Sequence, residues 1–393
     1  MLYKRQIFPK LEAELNTKEI TVITGMRRVG KTTALKHLFD LVGSKNKVML
    51  DLENPLHRKV FEEENYDAVW NNLKPFGVAE TEKAYIFIDE AQNLPELSRV
   101  VKYLYDHGNV KFILTGSSSY YLRNLFPESL AGRKMIFELF PLDFSEFLVF
   151  KGEGRVVENS FGGKAEKKNK IAYEKMLPLY DEYVEFGGFP SVVLEENYER
   201  KKLLLAEIFT SYFEKDAKNL ADFRDMSKLR DLILLLTARV GSKIDVAKLA
   251  STLATSRETV YNYLGFLEQT YFITFLPKYS NSVDRQAAGS KKLFFCDSGI
   301  VNALGKVSQG QLFEQSVYQN LRGKHTLAYY SKRETNEVDF IVDAQIGLEV
   351  KLTSSKQDIA RLKRDSEKLE LKENYVVSHQ YDDSEGVILA TDL

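Results

Sequence analysis

The stretch from Ile20 to Thr33 constrains this chain more than any other. It reads Ile-Thr-Val-Ile-Thr-Gly-Met-Arg-Arg-Val-Gly-Lys-Thr-Thr. The β-branched run Ile20, Val22 and Ile23 predicts a buried strand. It leads directly into Gly25-Met-Arg-Arg-Val-Gly30-Lys31-Thr32, which has the spacing of a phosphate-binding loop. Thr33-Ala-Leu-Lys-His-Leu-Phe then carries apolar residues at helical spacing. Strand, loop and helix therefore follow in the order such a loop needs. The glycines let successive backbone N–H groups curl toward phosphate oxygens, and the helix N-terminus adds its positive end. Lys31 is expected to reach the β- and γ-phosphates and the Thr32 hydroxyl to ligate Mg²⁺. Gly25, Arg28, Gly30, Lys31, Thr32 and Thr33 are the expected nucleotide contacts, with Arg28 either on a phosphate or solvated. A nucleoside triphosphate is the expected ligand.

A chain of 393 residues predicts two or three domains. A hydrophobic content of 44% with 28% charged residues fits a globular protein with a sizeable core. The single cysteine, Cys296, excludes an internal disulfide and sits in the apolar run Leu293-Phe-Phe-Cys, which predicts a small buried hydrophobe. The first residues lack an apolar signal core and no stretch reaches membrane-span length, so a cytoplasmic protein without a membrane partner is expected. The net charge of −1 gives no global pull toward nucleic acid.

Lys47 to Leu52 predicts a second strand. Lys83-Ala-Tyr-Ile-Phe-Ile-Asp89-Glu90 predicts a third, expected beside the phosphate loop and ending in two carboxylates. Asp89 is expected to hold Mg²⁺ and Glu90 to polarise the attacking water as general base. A fourth strand, Val110 to Gly116, leads to Ser117, which either senses the γ-phosphate or helps cap the next helix. Leu130-Ala-Gly-Arg133 precedes a strand from Met135 to Leu139 and a helix starting near Asp143. Strands alternating with helices predict an α/β parallel sheet.

Gly25-Met-Arg-Arg-Val-Gly-Lys-Thr-Thr, Ile88-Asp-Glu-Ala-Gln, Leu114-Thr-Gly-Ser-Ser-Ser and Leu130-Ala-Gly-Arg follow one another as in a prokaryotic AAA-type ATPase family that carries a C-terminal domain of unknown function. Gly187-Gly-Phe-Pro resembles that family's junction sequence, and the resemblance covers nearly the whole chain. It implies ATP as the nucleotide and a homo-oligomer in which Arg133 acts as an arginine finger. Arg133 could equally pair with a structural carboxylate, and Arg123 is a rival for the role.

Residues 151–170 are glycine- and charge-rich and read as an exposed loop. Ala172 to about Leu220 reads as helical, broken at Gly187-Gly-Phe-Pro190, as a helical lid on the nucleotide domain would be. Between Lys228 and Thr274 lie three helical patterns, Leu229 to Val240, Asp245 to Leu253 and Ser256 to Phe272. A capping box, Thr255-Ser-Arg-Glu258, sits at the start of the third, with Tyr261, Leu264 and Leu267 expected in the core. Two apolar runs, Thr274 to Ser280 and Lys292 to Cys296, would form a wing. From Lys228 to Lys292 ten Lys/Arg stand against five Asp/Glu, a net +5. As a winged helix the segment would place Arg257, Thr259 and Asn262 on DNA bases, with Arg285, Lys291 and Lys292 on phosphates. A winged helix used for protein contacts is the alternative.

After Lys306 an α-β-β-β-α-β order is expected. It carries Glu314 on the first helix, Asp339 on a strand, and Glu349 with Lys351 on the next strand. Alternation puts Glu349 and Lys351 on one face. The arrangement resembles the restriction-endonuclease-like nuclease superfamily. It implies Mg²⁺ or Mn²⁺ held by Glu314, Asp339 and Glu349, with Lys351 activating water. The expected architecture is an AAA-type phosphate-loop domain with helical lid (1–195), a winged helix-turn-helix domain with its connecting helix (196–295) and a restriction-endonuclease-like α/β domain (296–393). The expected function is ATP hydrolysis coupled to action on DNA, with or without metal-dependent cleavage. The alternative is a nucleotide-dependent protein-interaction switch whose nuclease-like domain is inactive.

Overall fold

The computed structural model describes residues 2–116, 132–155, 157–217, 226–280, 282, 289–332 and 336–393. The chain divides into two compact units. The first comprises Met1–Phe140 with Gln269–Tyr271, and the second Pro141–Glu268 with Phe272–Leu393.

In the first unit a short helix α1 (Phe8–Ala13) precedes β1 (Ile20–Thr24). The glycine loop then opens α2 (Lys31–Leu41), followed by β2 (Lys47–Asp51), β3 (Ala84–Asp89), α3 (Leu97–His107), β4 (Val110–Gly116) and β5 (Lys134–Glu138). All five strands are parallel in the order β2-β3-β4-β1-β5. The acid-tipped strand β3, expected beside the phosphate loop, is separated from β1 by β4, yet its Asp89 reaches Thr32 at the end of the loop. The end of β4 thereby brings Thr115 beside Asp89 and Glu90 at the end of β3. Ile86, Ile88, Phe112 and Leu114 share one core cluster with Leu97, Val101 and Leu104 of α3. These alternate strand positions and helical i, i+4, i+7 positions give each element one apolar face.

The second unit begins with α4 (Phe144–Phe150), whose N-cap Asp143 accepts the Glu146 N–H. Residues 151–170 are not simply an exposed loop: they contain α5 (Phe161–Glu166), capped by Ser160, with Phe161 buried. Burial of that ring contributes about 2 kcal/mol, enough to fix a short helix that its two glycines would otherwise disfavour. Next come α6 (Lys170–Phe186) and α7 (Tyr198–Ser211). Tyr173, Met176, Tyr180 and Tyr183 recur at helical spacing along α6 and are buried. Tyr180 and Tyr183 pack with Phe144, Phe147, Phe313, Val317 and Phe340, all within the second unit. The helix expected to lie as a lid on the nucleotide domain therefore belongs to the C-terminal core.

Three helices, α8 (Met226–Thr237), α9 (Val246–Thr252) and α10 (Arg257–Gln269), precede an antiparallel pair, β6 (Ile273–Leu276) and β7 (Lys292–Phe295). The α10 cap is Ser256 rather than Thr255, because the Ser256 Oγ accepts the Thr259 N–H at 3.0 Å. The buried positions of α10 are Val260, Tyr263, Leu264, Phe266 and Leu267, whereas Tyr261 is 62% exposed. Tyr261 was expected in the core, but it lies one residue, about 100° of helix, off that stripe.

The chain closes with α11 (Ser298–Leu304), α12 (Gln309–Leu321), β8 (Leu327–Lys332), β9 (Asn336–Val342), β10 (Ile346–Lys351), α13 (Lys356–Lys368), β11 (Glu373–Ser378) and β12 (Val387–Leu389). Sheet order is β12-β11-β10-β9-β8, antiparallel through β8, β9 and β10 and parallel through β10, β11 and β12. The Gly187-Gly188 pair packs on Asp297, the buried N-cap of α11. Asp297 accepts the Gly188 N–H at 2.7 Å, the Gly299 N–H at 2.9 Å and the Gln319 amide at 3.0 Å. A Cβ on Gly187 would lie 1.8 Å from Asp297 Oδ1, so only glycine fits. Among the described residues no helix is long and apolar enough to cross a membrane.

Candidate functional site

The phosphate loop is built by exclusion of side chains. Gly25 has φ +145°, and a Cβ there would lie 2.0 Å from the Leu139 carbonyl oxygen. Gly30, at φ +102°, forms the left-handed cap of α2. Lys31 is 5% exposed, and its Nζ donates to the carbonyls of Gly25 and Met26, each at 2.9 Å. The lysine is thus folded back into the loop, close to where a phosphate would replace those carbonyls as its partner. Thr33 and Arg28 are exposed.

Below the loop a hydrogen-bond chain joins three elements. The Thr32 hydroxyl donates to Asp89 Oδ2 at 2.7 Å, and Asp89 is 7% exposed. Thr115 Oγ1 donates to the other Asp89 oxygen and accepts the Glu90 N–H at 3.1 Å. Glu90 sits at φ +53°, a left-handed conformation that costs a side-chain-bearing residue about 1 kcal/mol. The Gln92 amide donates to its carboxylate, and Arg27 Nη1 lies 4.0 Å from it. A hard divalent cation takes oxygen ligands and keeps nucleotide phosphates among them. The adjacent Thr32 and Asp89 oxygens fit that donor set, completed by the triphosphate.

Two residues beside the loop escaped the sequence reading. Thr115 was in view within Leu114-Thr-Gly, but the residue considered there was Ser117, as γ-phosphate sensor or helix cap. Arg5 carried no local signal; its guanidinium donates to Val29 of the loop at 3.0 Å and to Phe140 at 2.8 Å. Ser117, Arg123 and Arg285 lie outside the described residues. Arg133 pairs with Asp106, Nε to Oδ1 at 3.2 Å.

On the α10 surface Arg257 and Asn262 are exposed and Thr259 is half-buried against its cap. Lys291 is exposed. Lys292 is not available to a DNA phosphate, contrary to expectation. It is 2% exposed, with its Nζ 3.1 Å from Glu314, 2.5 Å from Glu337 and 3.5 Å from Asp339. All four residues of β7 are buried, and the lysine that opens the strand meets acids that are distant in sequence.

Glu314, Asp339, Glu349 and Lys351 do come together at the C-terminal sheet, but as an ion-pair cluster. Asp339 Oδ2 accepts the Val350 N–H at 2.8 Å. Glu349 pairs with Lys351 at 2.7 Å and with Arg361. Burial and the charge of Asp339 push Glu314 and Glu349 well above the ordinary carboxylate range. Lys292 is pushed up as well: three surrounding acids outweigh its burial and hold it protonated. The two directions agree, since one ammonium shared by several acids in a dry site leaves Glu314 to take up a proton. Among the described residues no group of three or more His, Cys, Asp or Glu is arranged to hold a metal ion. The donor set expected for Mg²⁺ or Mn²⁺ therefore does not fit one here, because amines and N–H groups engage its oxygens. Cys296 is buried, and burial pushes its thiol up, as a small hydrophobe requires.

Residues 17–148 match a family model described as AAA domain. The N-terminal stretch is an AAA-type domain. Beyond it, residues 177–311 and 309–389 match two domains of unknown function, DUF8612 and DUF4143. An uncharacterized protein of Methanocaldococcus jannaschii is 29% identical over 84% of this chain and 74% of its own length. One from Haemophilus influenzae is 27% identical over 87% and 84%. Among solved structures, the Thermotoga maritima RuvB Holliday junction branch migration motor aligns over 70% of this chain and 90% of that one. Its identity is 16% and its TM-score 0.33, a likeness too loose to carry an argument. The AAA-type domain accounts for the parallel sheet and the glycine loop, and its fold implies a bound nucleotide.

Proposed function

We propose that this chain is an ATP-hydrolysing AAA-type ATPase that acts on DNA. The observation that carries the first half is the Thr32–Asp89–Thr115–Glu90 chain beneath the glycine loop. In this reading Lys31 leaves the Gly25 and Met26 carbonyls for the β- and γ-phosphates. Mg²⁺ held by Thr32 and Asp89 would neutralise charge on those phosphates. Glu90 accepts the proton of the attacking water, whose oxygen bonds to the γ-phosphorus as the bond to the ADP oxygen breaks. Arg133 would have to leave Asp106 to act as a finger on a neighbouring copy.

The DNA half rests on α9, α10 and the β6–β7 pair as a winged helix-turn-helix within residues 196–295, with Arg257, Asn262 and Lys291 exposed. Residues 296–393 are read as a restriction-endonuclease-like domain from the order α12-β8-β9-β10-α13-β11. No hydrolytic step at its carboxylates belongs to the proposal, since that donor set is engaged by cations. This same engagement favours, as second reading, a nucleotide-dependent protein-interaction switch with an inactive nuclease-like domain. A cytoplasmic homo-oligomer suits either reading.

Two measurements test the proposal. ATP binding should be lost in Lys31→Ala, whereas Glu90→Gln should bind ATP and turn it over at least about 100-fold more slowly. Duplex DNA binding should weaken with salt at a slope of about −0.9 per phosphate contacted, and Arg257→Ala should weaken it further. Unchanged nucleotide affinity in Lys31→Ala would overturn the ATPase reading. Absence of salt-sensitive DNA binding in an active ATPase would leave the protein switch.

A further inference from the structure

A buried ammonium is expensive unless carboxylates surround it, and Lys292 is placed where the chain supplies three. Its strand, β7, belongs to the hairpin that precedes the C-terminal sheet, whereas Glu314 lies on α12 and Glu337 and Asp339 on β9. The Nζ also lies 5.5 Å from the centroid of the Tyr329 ring, an orientation that favours a cation. The backbone completes the enclosure. Gly241 donates to the Leu293 carbonyl at 2.8 Å and Leu293 donates to Ser242 at 3.1 Å. A Cβ on Gly241, which has φ +72°, would stand 2.7 Å from Glu314 Oε2, so chain rather than side chain covers that carboxylate.

We propose that Lys292 is the resident cation of this carboxylate set, closing it against divalent metal and fastening β7 to α12 and β9. The ammonium does for Glu314, Glu337 and Asp339 what a metal ion does in a hydrolytic centre: it balances negative charge clustered around a buried point. A divalent cation needs several of the same oxygens at short range, so metal and Lys292 exclude each other. The contact is autoinhibitory in kind. With Lys292 seated the site holds no metal; with it gone, Glu314, Asp339 and Glu337 face one another with their cation removed. The inference stands on the second unit alone and does not depend on ATP hydrolysis by the first.

The test is titration of the full chain, free of nucleotide, with Mn²⁺ alone, reading free Mn²⁺ by electron paramagnetic resonance. Wild type and Asp339→Asn should titrate alike, since any binding at the phosphate loop is common to both. Lys292→Met should gain a site at least ten times tighter than any in wild type, and Lys292→Met combined with Asp339→Asn should lose it. Weaker Mn²⁺ binding in Asp339→Asn than in wild type would overturn the proposal, because metal would then enter with Lys292 in place. A folded Lys292→Met that gains no Asp339-dependent site would overturn it as well. Lys292→Gln substitutes if the methionine variant does not fold. The comparison of wild type with Asp339→Asn decides the closed state by itself.

Discussion

Replacing Thr115 with valine tests the chain beneath the glycine loop at its least accessible point. The residue is fully buried at the end of β4, and valine keeps its shape while deleting the hydroxyl. Two interactions go with it. Asp89 loses a charge-assisted hydrogen bond, worth about 1.5–3 kcal/mol, but retains the one from Thr32 at 2.7 Å. The Glu90 N–H loses its acceptor, and an orphaned buried donor costs about 1–3 kcal/mol. Allowing for partial relaxation, we expect the first unit to lose about 3 kcal/mol, read as a lower urea midpoint with unchanged slope. Turnover should fall further than stability explains. Glu90 is held at φ +53°, and release of its N–H lets the backbone leave that left-handed conformation and carry the carboxylate away. A misplaced general base costs about 100-fold or more in rate, so with Glu90 in the role proposed for it ATP turnover should drop by about 100-fold, while ATP affinity, which the proposal gives to Lys31 and the loop, changes little. A folded Thr115→Val with turnover within about twofold of wild type would refute the argument that this hydroxyl positions Glu90. An unchanged urea midpoint would refute the energies assigned to the two bonds.

Two further outcomes concern the second unit. Gly188→Ala should destabilise it by about 3 kcal/mol, because the new Cβ would lie 2.1 Å from the Leu142 carbonyl oxygen. Gly265→Ala, whose Cβ meets nothing within 4 Å on α10, should stabilise by about 1 kcal/mol in the same urea series; equal effects would mean that close packing at the junction does not matter. The pH dependence follows from the buried carboxyls. Glu314 is pushed up to about 8 and Glu349 to about 7, by burial first and then by Asp339. Folded-state values above the unfolded ones mean that the native state holds more protons across this interval. Their stabilising contribution is full below the unfolded value and is lost as pH rises through the folded one. The urea midpoint of the second unit should therefore fall between about pH 5 and pH 8. Glu314→Gln, which mimics the protonated acid, should gain on wild type across that window. A difference between the two that is constant with pH would contradict the assigned shifts.

What could be read in the sequence was what short-range chemistry encodes. The glycine loop, the apolar strands β1 to β4 and the order of elements around Asp339 and Glu349 all follow from residues a few positions apart. Tyr261 was misplaced although its phase was in view: Val260, Tyr263, Leu264 and Leu267 already define a stripe that excludes it. Other features depend on contacts the local pattern cannot carry. The insertion of β4 between β1 and β3 is a matter of strand order, and it brings the Thr115 hydroxyl to Asp89. Phe161 sits among glycines and charges, yet its ring finds a core built from residues far away in the chain. The helix α6 is amphipathic in any reading, but only the residues meeting Tyr180 and Tyr183 show which core it closes.

Charge shows the same limit most sharply. A net +5 between Lys228 and Lys292 treats ten basic side chains as equivalent and solvated. Folding makes them unequal. Lys292 is spent on Glu314, Glu337 and Asp339, acids that lie outside the counted segment, and Lys243 donates to Ser331 at 2.8 Å. The segment's excess positive charge is thus partly balanced by the sheet that follows it, and what remains exposed around α10 is narrower than the count implies. Nucleic-acid affinity depends on the cations that can reach phosphates, not on those present in a window. The start of β7 divides the two uses between neighbours: Lys291, just before the strand, is exposed, while Lys292, its first residue, is buried among carboxylates. One residue at the start of a fully buried strand therefore separates a side chain able to meet an external phosphate from one that balances charge inside the protein.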